Sequence, residues 1–246
     1  MSQHDCPEPE TASPLLRHAS LWLHGAGLAG DTWRGLTAGF PLAQIPDLPG
    51  HGCALRVATP RVETYAEAVA DRLQPGTVVI GHSLGGMVAL ELAARAGSKV
   101  GALVLIEAVP TVRDRLCGRI SAGGARGLFT VIPTSWLVRL AGKGEAEGTR
   151  AELRRQLLRM DPAGISDALT AASLYDGRPR LAEIAIPTLV VVGAKNTATL
   201  HGAALLARGI RGAEHHVLPG GHMLHTDIPA ELLGCMETFL DRALPG

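Results

Sequence analysis

The chain has 246 residues, of which 46% are hydrophobic and 19% are charged. This length suits one large domain with a sizeable core, and the composition is that of a globular chain, not a disordered one. Lys and Arg total 23, as do Asp and Glu, so the formal net charge is zero. The basic excess expected for a nucleic-acid partner or an anionic membrane surface is therefore absent from this sequence.

The four cysteines, Cys6, Cys53, Cys117 and Cys235, show no CxxC spacing. We therefore expect reduced, structural cysteines and no metal site. Residues 1–17 look like an irregular lead-in without the charged-then-apolar pattern of a signal peptide. No apolar run reaches the roughly 20 residues that span a bilayer. The expected location is the cytoplasm.

The first predicted strand, Ser20–Leu23, runs into the glycine-rich loop His24-Gly25-Ala26-Gly27. The loop lacks both the Walker lysine and GxGxxG spacing, which argues against a phosphate site. Such a loop can instead present backbone N–H groups to an oxyanion. We expect His24 to brace the loop.

A second strand end leads into the turn Asp47-Leu48-Pro49-Gly50-His51-Gly52. Asp47 can hydrogen-bond the backbone of its own turn, so structural roles are favoured for Asp47 and His51. Residues 65–73 have the apolar spacing of a helix, which Gln74-Pro75-Gly76 ends.

The apolar run 78–80 stops at Gly81-His82-Ser83-Leu84-Gly85, and a helical pattern follows to about Arg95. This is the signature of a nucleophile elbow, a tight strand-to-helix turn that exposes the serine hydroxyl. Glycine is required at both ends of the motif because a side chain there would collide with the neighbouring strand or helix.

The remaining pattern alternates strands and helices around one insertion. The run Val100–Ile106 predicts a strand buried on both faces and ends at Glu107. Alternation of strands and helices predicts a mainly parallel sheet, with functional sites at the carboxyl ends of its strands.

The predicted units are a core in two parts, 1–110 and 181–246, and a mostly helical cap, 111–180, with helices near 128–140 and 149–159. Later elements are strands at 186–193 and 215–218 and helices at 203–210 and 229–243.

Taken together, these elements resemble the α/β-hydrolase superfamily over nearly the whole chain, and more narrowly its compact, capped bacterial carboxylesterases. The matching blocks are His24-Gly25-Ala26-Gly27, Asp47-Leu48-Pro49-Gly50-His51-Gly52, Gly81-His82-Ser83-Leu84-Gly85-Gly86, residues 187–193, and Gly220-Gly221-His222. The resemblance implies the α/β-hydrolase fold, a mainly parallel sheet flanked by helices with a helical cap. It also implies Ser83 as nucleophile and His222 as general base, with His225 the weaker competitor.

The acid departs from the family pattern. Most relatives carry aspartate in a Gly-x-x-Asp sequence after the later strand, and here that sequence is Gly193-Ala194-Lys195-Asn196. Three explanations are open. The protein has lost catalysis, Asn196 orients the histidine without a charge, or a carboxylate elsewhere in the chain supplies the negative charge. We favour Glu107, because some members of the superfamily place the acid after the strand next to the elbow strand. The alternative is that Glu107 caps the next segment or pairs with an arginine, and Asp227 is a less favoured acid.

The resemblance also implies an oxyanion hole made by the backbone N–H groups of Leu84 and Ala26, with Gly27 as the neighbouring choice. In the cap, Leu128, Phe129, Ile132, Trp136 and Leu137 are candidates for an apolar lining, of which Phe129 and Trp136 are the pocket residues we select. Packing of the cap onto the sheet explains the same residues equally well.

The function that this resemblance implies is a serine hydrolase that cleaves a small-molecule carboxylic ester through an acyl-enzyme, with no metal or organic cofactor. Three other reactions could use the same residues: C–C bond hydrolysis, lactone opening and a hydroxynitrile-lyase reaction. A non-catalytic small-molecule-binding protein on this scaffold is the remaining alternative. The sequence leaves the oligomeric state open.

Overall fold

The computed structural model describes residues 13–112 and 147–244. Its centre is a six-stranded sheet with the order β2-β1-β3-β4-β5-β6, in which every neighbouring pair is parallel. The strands are β1 Ser20–Leu23, β2 Ala43–Gln44, β3 Thr77–His82, β4 Val100–Ile106, β5 Thr188–Gly193 and β6 Glu214–Leu218. The mainly parallel sheet predicted from the sequence is confirmed.

Helices cover both faces of this sheet. They are α1 Pro14–Arg17, α2 Arg34–Thr37, α3 Val62–Val69, α4 Leu84–Ala96, α5 Glu147–Arg159, α6 Pro162–Leu174, α7 Thr197–Gly209, α8 Leu224–Asp227 and α9 Pro229–Ala243. Short 3₁₀ turns lie at Gly30–Trp33, Ala70–Arg72, Gly97–Lys99 and Arg178–Glu183. No helix in the described ranges is long and apolar enough to cross a membrane.

Helices α1 and α7 are among those that differ from the sequence prediction. The supposed lead-in contains α1, where the Ser13 hydroxyl caps the N-terminus and the buried Leu15 anchors the turn to the core. Helix α7 begins at Thr197, six residues before the predicted start of 203, because the Asn196 side chain accepts a hydrogen bond from the Ala198 N–H and caps it. Both caps are local side-chain contacts that an apolar period does not reveal.

Alternation along the strands builds two apolar layers. On β3 and β4, Val79, Leu103 and Leu105 pack on one face with α3, α4, α6 and α7. Ile80 and Val104 point to the other face, against α1 and α9. Burial on both faces explains why these strands read as continuous apolar runs. It also leaves the carboxyl ends of the strands as the edge where polar groups gather.

Candidate active site

Ser83 lies at the junction of β3 and α4 in a strained backbone conformation, with φ 53° and ψ −115°. Helix α4 begins at the next residue. A Cβ atom on Gly81 would overlap the carbonyl of Gly85, and one on Gly85 would overlap the carbonyl of Leu23. The two glycines therefore allow the backbone to turn sharply enough for a non-glycine residue to occupy the positive-φ position.

The loop after β1 contains one of the two proposed oxyanion donors. In the described part of the chain, the backbone N–H groups of Ala26 and Leu84 donate to no other protein group. The N–H of Gly27, the alternative donor, instead donates to Nε2 of His51 over 3.1 Å. As the oxyanion donor of this loop, Ala26 is therefore favoured over Gly27.

His24, Asp47 and His51 brace this loop. Nδ1 of His24 donates to the Gly25 carbonyl over 2.8 Å, and its Nε2 accepts from the Leu48 N–H over 2.9 Å. Burial, and then the neighbouring His51, lower the pKa of His24 to about 3. Asp47 accepts from the Gly30 and Cys53 N–H groups at 2.8 and 2.9 Å. These contacts agree with the structural roles expected from the sequence.

The predicted base and the favoured acid meet at the carboxyl edge of the sheet. Nδ1 of His222 lies 3.2 Å from Oε2 of Glu107, across 115 residues of sequence. The Glu107 side chain is fully buried, whereas the His222 side chain is 29% exposed. A buried carboxylate beside a partly exposed imidazole is the arrangement that stabilises an imidazolium while leaving its other nitrogen accessible.

Asn196 joins the same pair. Its Nδ2 donates to Oε2 of Glu107 over 2.6 Å and lies 2.9 Å from Nδ1 of His222. A protonated Nδ1 donates to Glu107, and an unprotonated Nδ1 accepts from Asn196. The amide therefore contacts both partners without carrying the charge, while Glu107 is the carboxylate in contact with His222.

Glu107 is held in a strained conformation with φ 52° by contacts from β5 and α7. Its Oε1 accepts from the Gly193 N–H, and its Oε2 also accepts from the Thr199 hydroxyl over 2.5 Å. Its own N–H donates to the Val191 carbonyl over 2.8 Å. Sequence reasoning missed Thr199; the signal was its place three residues after Asn196, in the first turn of α7.

His225, the alternative base, and Asp227, the alternative acid, contact other groups. Nε2 of His225 lies 3.0 Å from the Thr32 hydroxyl. Burial, followed by the nearby His222, lowers the pKa of His225 to about 3. Asp227 accepts from the Gly221 N–H over 3.0 Å and from the Thr149 hydroxyl over 3.5 Å, which anchors the loop that carries His222.

His82 connects the elbow to this loop. Its Nε2 donates to the carbonyl of His222 over 2.9 Å, and its ring contacts the rings of His222 and His225. Burial is the main reason that the pKa of His82 lies well below the ordinary value, so the ring is neutral. The residue next to Ser83 thus contacts the main chain of the proposed base.

The remaining sequence predictions concern the cap. Phe129 and Trp136, like Leu128, Ile132 and Leu137, fall in 113–146 and so outside the described residues. The cap boundaries at 111 and 180 stay a prediction. The predicted helix at 149–159 corresponds to α5, and α6 is a further helix of the same segment.

Comparison with known proteins identifies the family of this chain. The model of the alpha/beta hydrolase family matches residues 21–234. The chain belongs to this family. A pimeloyl-(acyl-carrier protein) methyl ester esterase from Nitrosospira multiformis is 30% identical, over 89% of this chain and 91% of that protein. A protein of the same name from Nitrosomonas europaea is 28% identical, over 88% of this chain and 93% of that protein.

Solved structures of α/β hydrolases superimpose on nearly the whole chain. MenH from S. aureus has a TM-score of 0.79 at 20% identity, covering 92% of this chain and 94% of that one. A thermophilic esterase has a TM-score of 0.73 at 26% identity, covering 92% and 90%. The α/β-hydrolase fold predicted from the sequence is confirmed.

Proposed function

We propose that this chain is a serine hydrolase that cleaves a small-molecule carboxylic ester through an acyl-enzyme. The observation that carries the proposal is the 3.2 Å approach of His222 Nδ1 to the buried carboxylate of Glu107. The strained elbow conformation of Ser83 supports the role of nucleophile. The esterase names of the Nitrosomonas and Nitrosospira relatives support an ester as substrate.

The reaction follows from these groups. Ser83 Oγ attacks the ester carbonyl carbon while His222 accepts the hydroxyl proton, through Nε2 because Nδ1 faces Glu107. The carbonyl oxygen becomes an oxyanion that the N–H groups of Ala26 and Leu84 stabilise. Collapse of the tetrahedral intermediate expels the alcohol, which takes the proton from His222. Water, deprotonated by the same histidine, then attacks the acyl-enzyme and releases the acid.

Within this reaction the Glu107 carboxylate stabilises the imidazolium that forms at His222. Asn196, Thr199 and the Gly193 N–H each donate to its carboxylate, which fixes the carboxylate and compensates its burial. The acid role thus passes from the family position, occupied by Asn196, to the end of the neighbouring strand.

The proposal is tested with the wild type, Ser83→Ala and the matched surface variant Ser98→Ala. Hydrolysis of p-nitrophenyl butyrate and labelling by a fluorophosphonate are measured, the latter by intact mass. We expect turnover and a single adduct on Ser83 in the wild type and in Ser98→Ala, and neither in Ser83→Ala.

A wild type that binds no fluorophosphonate would contradict the serine nucleophile and favour a binding protein on this scaffold. Labelling without ester turnover would contradict the ester substrate. The same preparation is then assayed with a lactone, a β-diketone and a cyanohydrin, which represent the three other reactions considered. The pimeloyl-(acyl-carrier protein) methyl ester named for the relatives tests whether their substrate extends to this chain.

A further inference from the structure

Gln156 of helix α5 is completely buried, and every polar atom of its amide is bonded. Its Oε1 accepts from the Ala29 N–H over 3.3 Å. Its Nε2 donates to Oδ1 of Asp31 over 2.8 Å and to Oε1 of Glu152 over 3.0 Å. One side chain of the predicted cap therefore holds both a backbone donor of the loop that follows β1 and a side-chain acceptor of the 3₁₀ turn next to that loop.

Other contacts join the same two segments. Arg159, one helical turn beyond Gln156, pairs with the second oxygen of Asp31 over 3.0 Å. Leu157 fills the space beside Gly27, where a Cβ atom would overlap it. A separate apolar cluster combines residues of the loop, of α5 and α6, and the neighbour of His222: Leu28, Ala29, Leu153, Leu157, Met160, Ile165 and Met223.

The loop itself has little regular structure between Leu23 and Gly30, so its path depends on such side-chain contacts. His24, Asp47 and His51 hold it through hydrogen bonds within the sheet domain. Gln156 of helix α5 holds it through the Ala29 N–H, and Ala29 lies three residues after Ala26. An oxyanion donor must point at the developing charge to contribute several kcal/mol, so a small rotation of this loop costs catalysis.

We propose that Gln156 is a positioning residue, which sets the direction of the Ala26 N–H by clamping the loop to α5. The inference rests on the proposed function, because it presupposes an oxyanion hole at Ala26. Glutamine is suited to the task because one end of its amide accepts from an N–H while the other donates to a carboxylate. Leucine matches its size but makes neither bond, and glutamate can accept but repels Asp31 unless it is protonated.

The first test compares Gln156→Leu with the matched control Arg154→Ala. Arg154 is exposed on the same helix and has no side-chain partner among residues 13–112 and 147–244. Hydrolysis of p-nitrophenyl butyrate is measured per active site, titrated with a fluorophosphonate. We expect kcat of Gln156→Leu to fall 10- to 100-fold with KM within about twofold, and Arg154→Ala to match the wild type.

A transition-state analogue separates positioning from loss of stability. A trifluoromethyl ketone adds to an active serine and places an oxyanion in the hole, so its affinity reports the donor geometry directly. We expect its affinity for Gln156→Leu to fall by the same factor as kcat. A purely structural role would lower the melting temperature and leave both quantities unchanged in the folded, titrated protein.

A second test uses Gln156→Glu, which should lose activity, and the double variant Gln156→Glu with Asp31→Asn, which should regain part of it. In Gln156→Glu the introduced carboxylate faces both Asp31 and Glu152, with Arg155 and Arg159 as the cations paired to these two groups, so activity relative to the wild type should rise as pH falls and the cluster takes up a proton. Adding Asp31→Asn replaces one of the two opposing carboxylates with an amide that can donate to the introduced one, and kcat at pH 8 should recover at least tenfold relative to Gln156→Glu. These two variants decide the question if Gln156→Leu does not fold.

Unchanged kcat in Gln156→Leu, or a pH profile of Gln156→Glu identical to that of the wild type, would overturn the inference. In either case the wild type still turns over, so the proposed function stands. A wild type without turnover or fluorophosphonate labelling would instead overturn the proposed function, and the inference with it.

Discussion

The side-chain amide of Asn196 donates a hydrogen bond of 2.6 Å to Oε2 of Glu107. Asn196 occupies the position at which the family resemblance implies an aspartate, and Glu107 follows the adjacent strand β4. The ends of two neighbouring parallel strands therefore reach the same nitrogen of His222. Exchange of the charge between these two positions requires no change in the position of the histidine.

Glu107→Gln should lower kcat by roughly 10³- to 10⁴-fold, because the neutral amide no longer stabilises the imidazolium at His222. Asn196→Ala removes one of the three donors to the carboxylate other than His222 and leaves the charge, so kcat should fall no more than about tenfold. Steady-state ester hydrolysis at pH 7.5 measures both. A larger loss in Asn196→Ala than in Glu107→Gln would assign the essential role to the asparagine.

Asn196→Asp should damage the site instead of repairing it. Two carboxylates at hydrogen-bond distance cannot both ionise cheaply, so the pKa of the pair is raised above the unfolded value. Stability is then complete below the unfolded pKa and declines as pH rises through the raised value. Melting temperature from pH 5 to 9 should fall more steeply than in the wild type.

The double variant Glu107→Gln with Asn196→Asp is the control for this prediction. It returns one carboxylate and one amide to the site, so ester hydrolysis should recover by at least an order of magnitude over Glu107→Gln alone. Equal inactivity of the double and single variants would show that only the β4 position can hold the charge.

Buried neutral histidines should make the protein sensitive to acid. The folded pKa values of His24 and His225 are lowered to about 3, from 6.5 in the unfolded chain. Unfolding therefore takes up protons below pH 6.5, and the free energy of unfolding falls as pH drops from there towards 3. Each histidine should contribute a loss of about 2 kcal/mol between pH 7 and pH 5.

Urea unfolding at pH 5, 6 and 7 measures this loss. His225→Gln cannot titrate, so its stability should depend less steeply on pH, whereas His201→Gln, on an exposed position of α7, should keep the wild-type slope. Identical slopes for all three proteins would contradict the assignment of acid sensitivity to the buried ring of His225.

Gly85→Ala should destabilise the elbow by about 3 kcal/mol, because the new methyl group overlaps the carbonyls of Leu23 and His24. The matched control is Gly35→Ala in α2, where a Cβ atom meets nothing within 4 Å. That change should be neutral or stabilising by up to about 1 kcal/mol, since alanine favours a helix. Thermal and urea unfolding compare the two, and equal stability would contradict close packing at the elbow.

Much of the fold could be predicted from the sequence because its signals are local. Strands buried on both faces are continuous apolar runs, and the Gly-x-Ser-x-Gly turn has a steric requirement that only glycine meets. For the same reason Ser83, Glu107 and His222 could each be located at the end of a strand or in a glycine-rich turn. The helix α1 was missed because a four-residue turn has no period to detect.

Contacts between distant segments were decided by the tertiary structure. Glu107, Asn196 and His222 are separated by up to 115 residues, and only the sheet order β4-β5-β6 brings their side chains together. Gln156 carries no sequence signal, and Thr199 has only its place in the first turn after Asn196, because a hydroxyl or an amide on a helix is usually solvated. Their importance comes from burial against a specific partner, and burial depends on how helices and strands pack, not on the order of residues within one element.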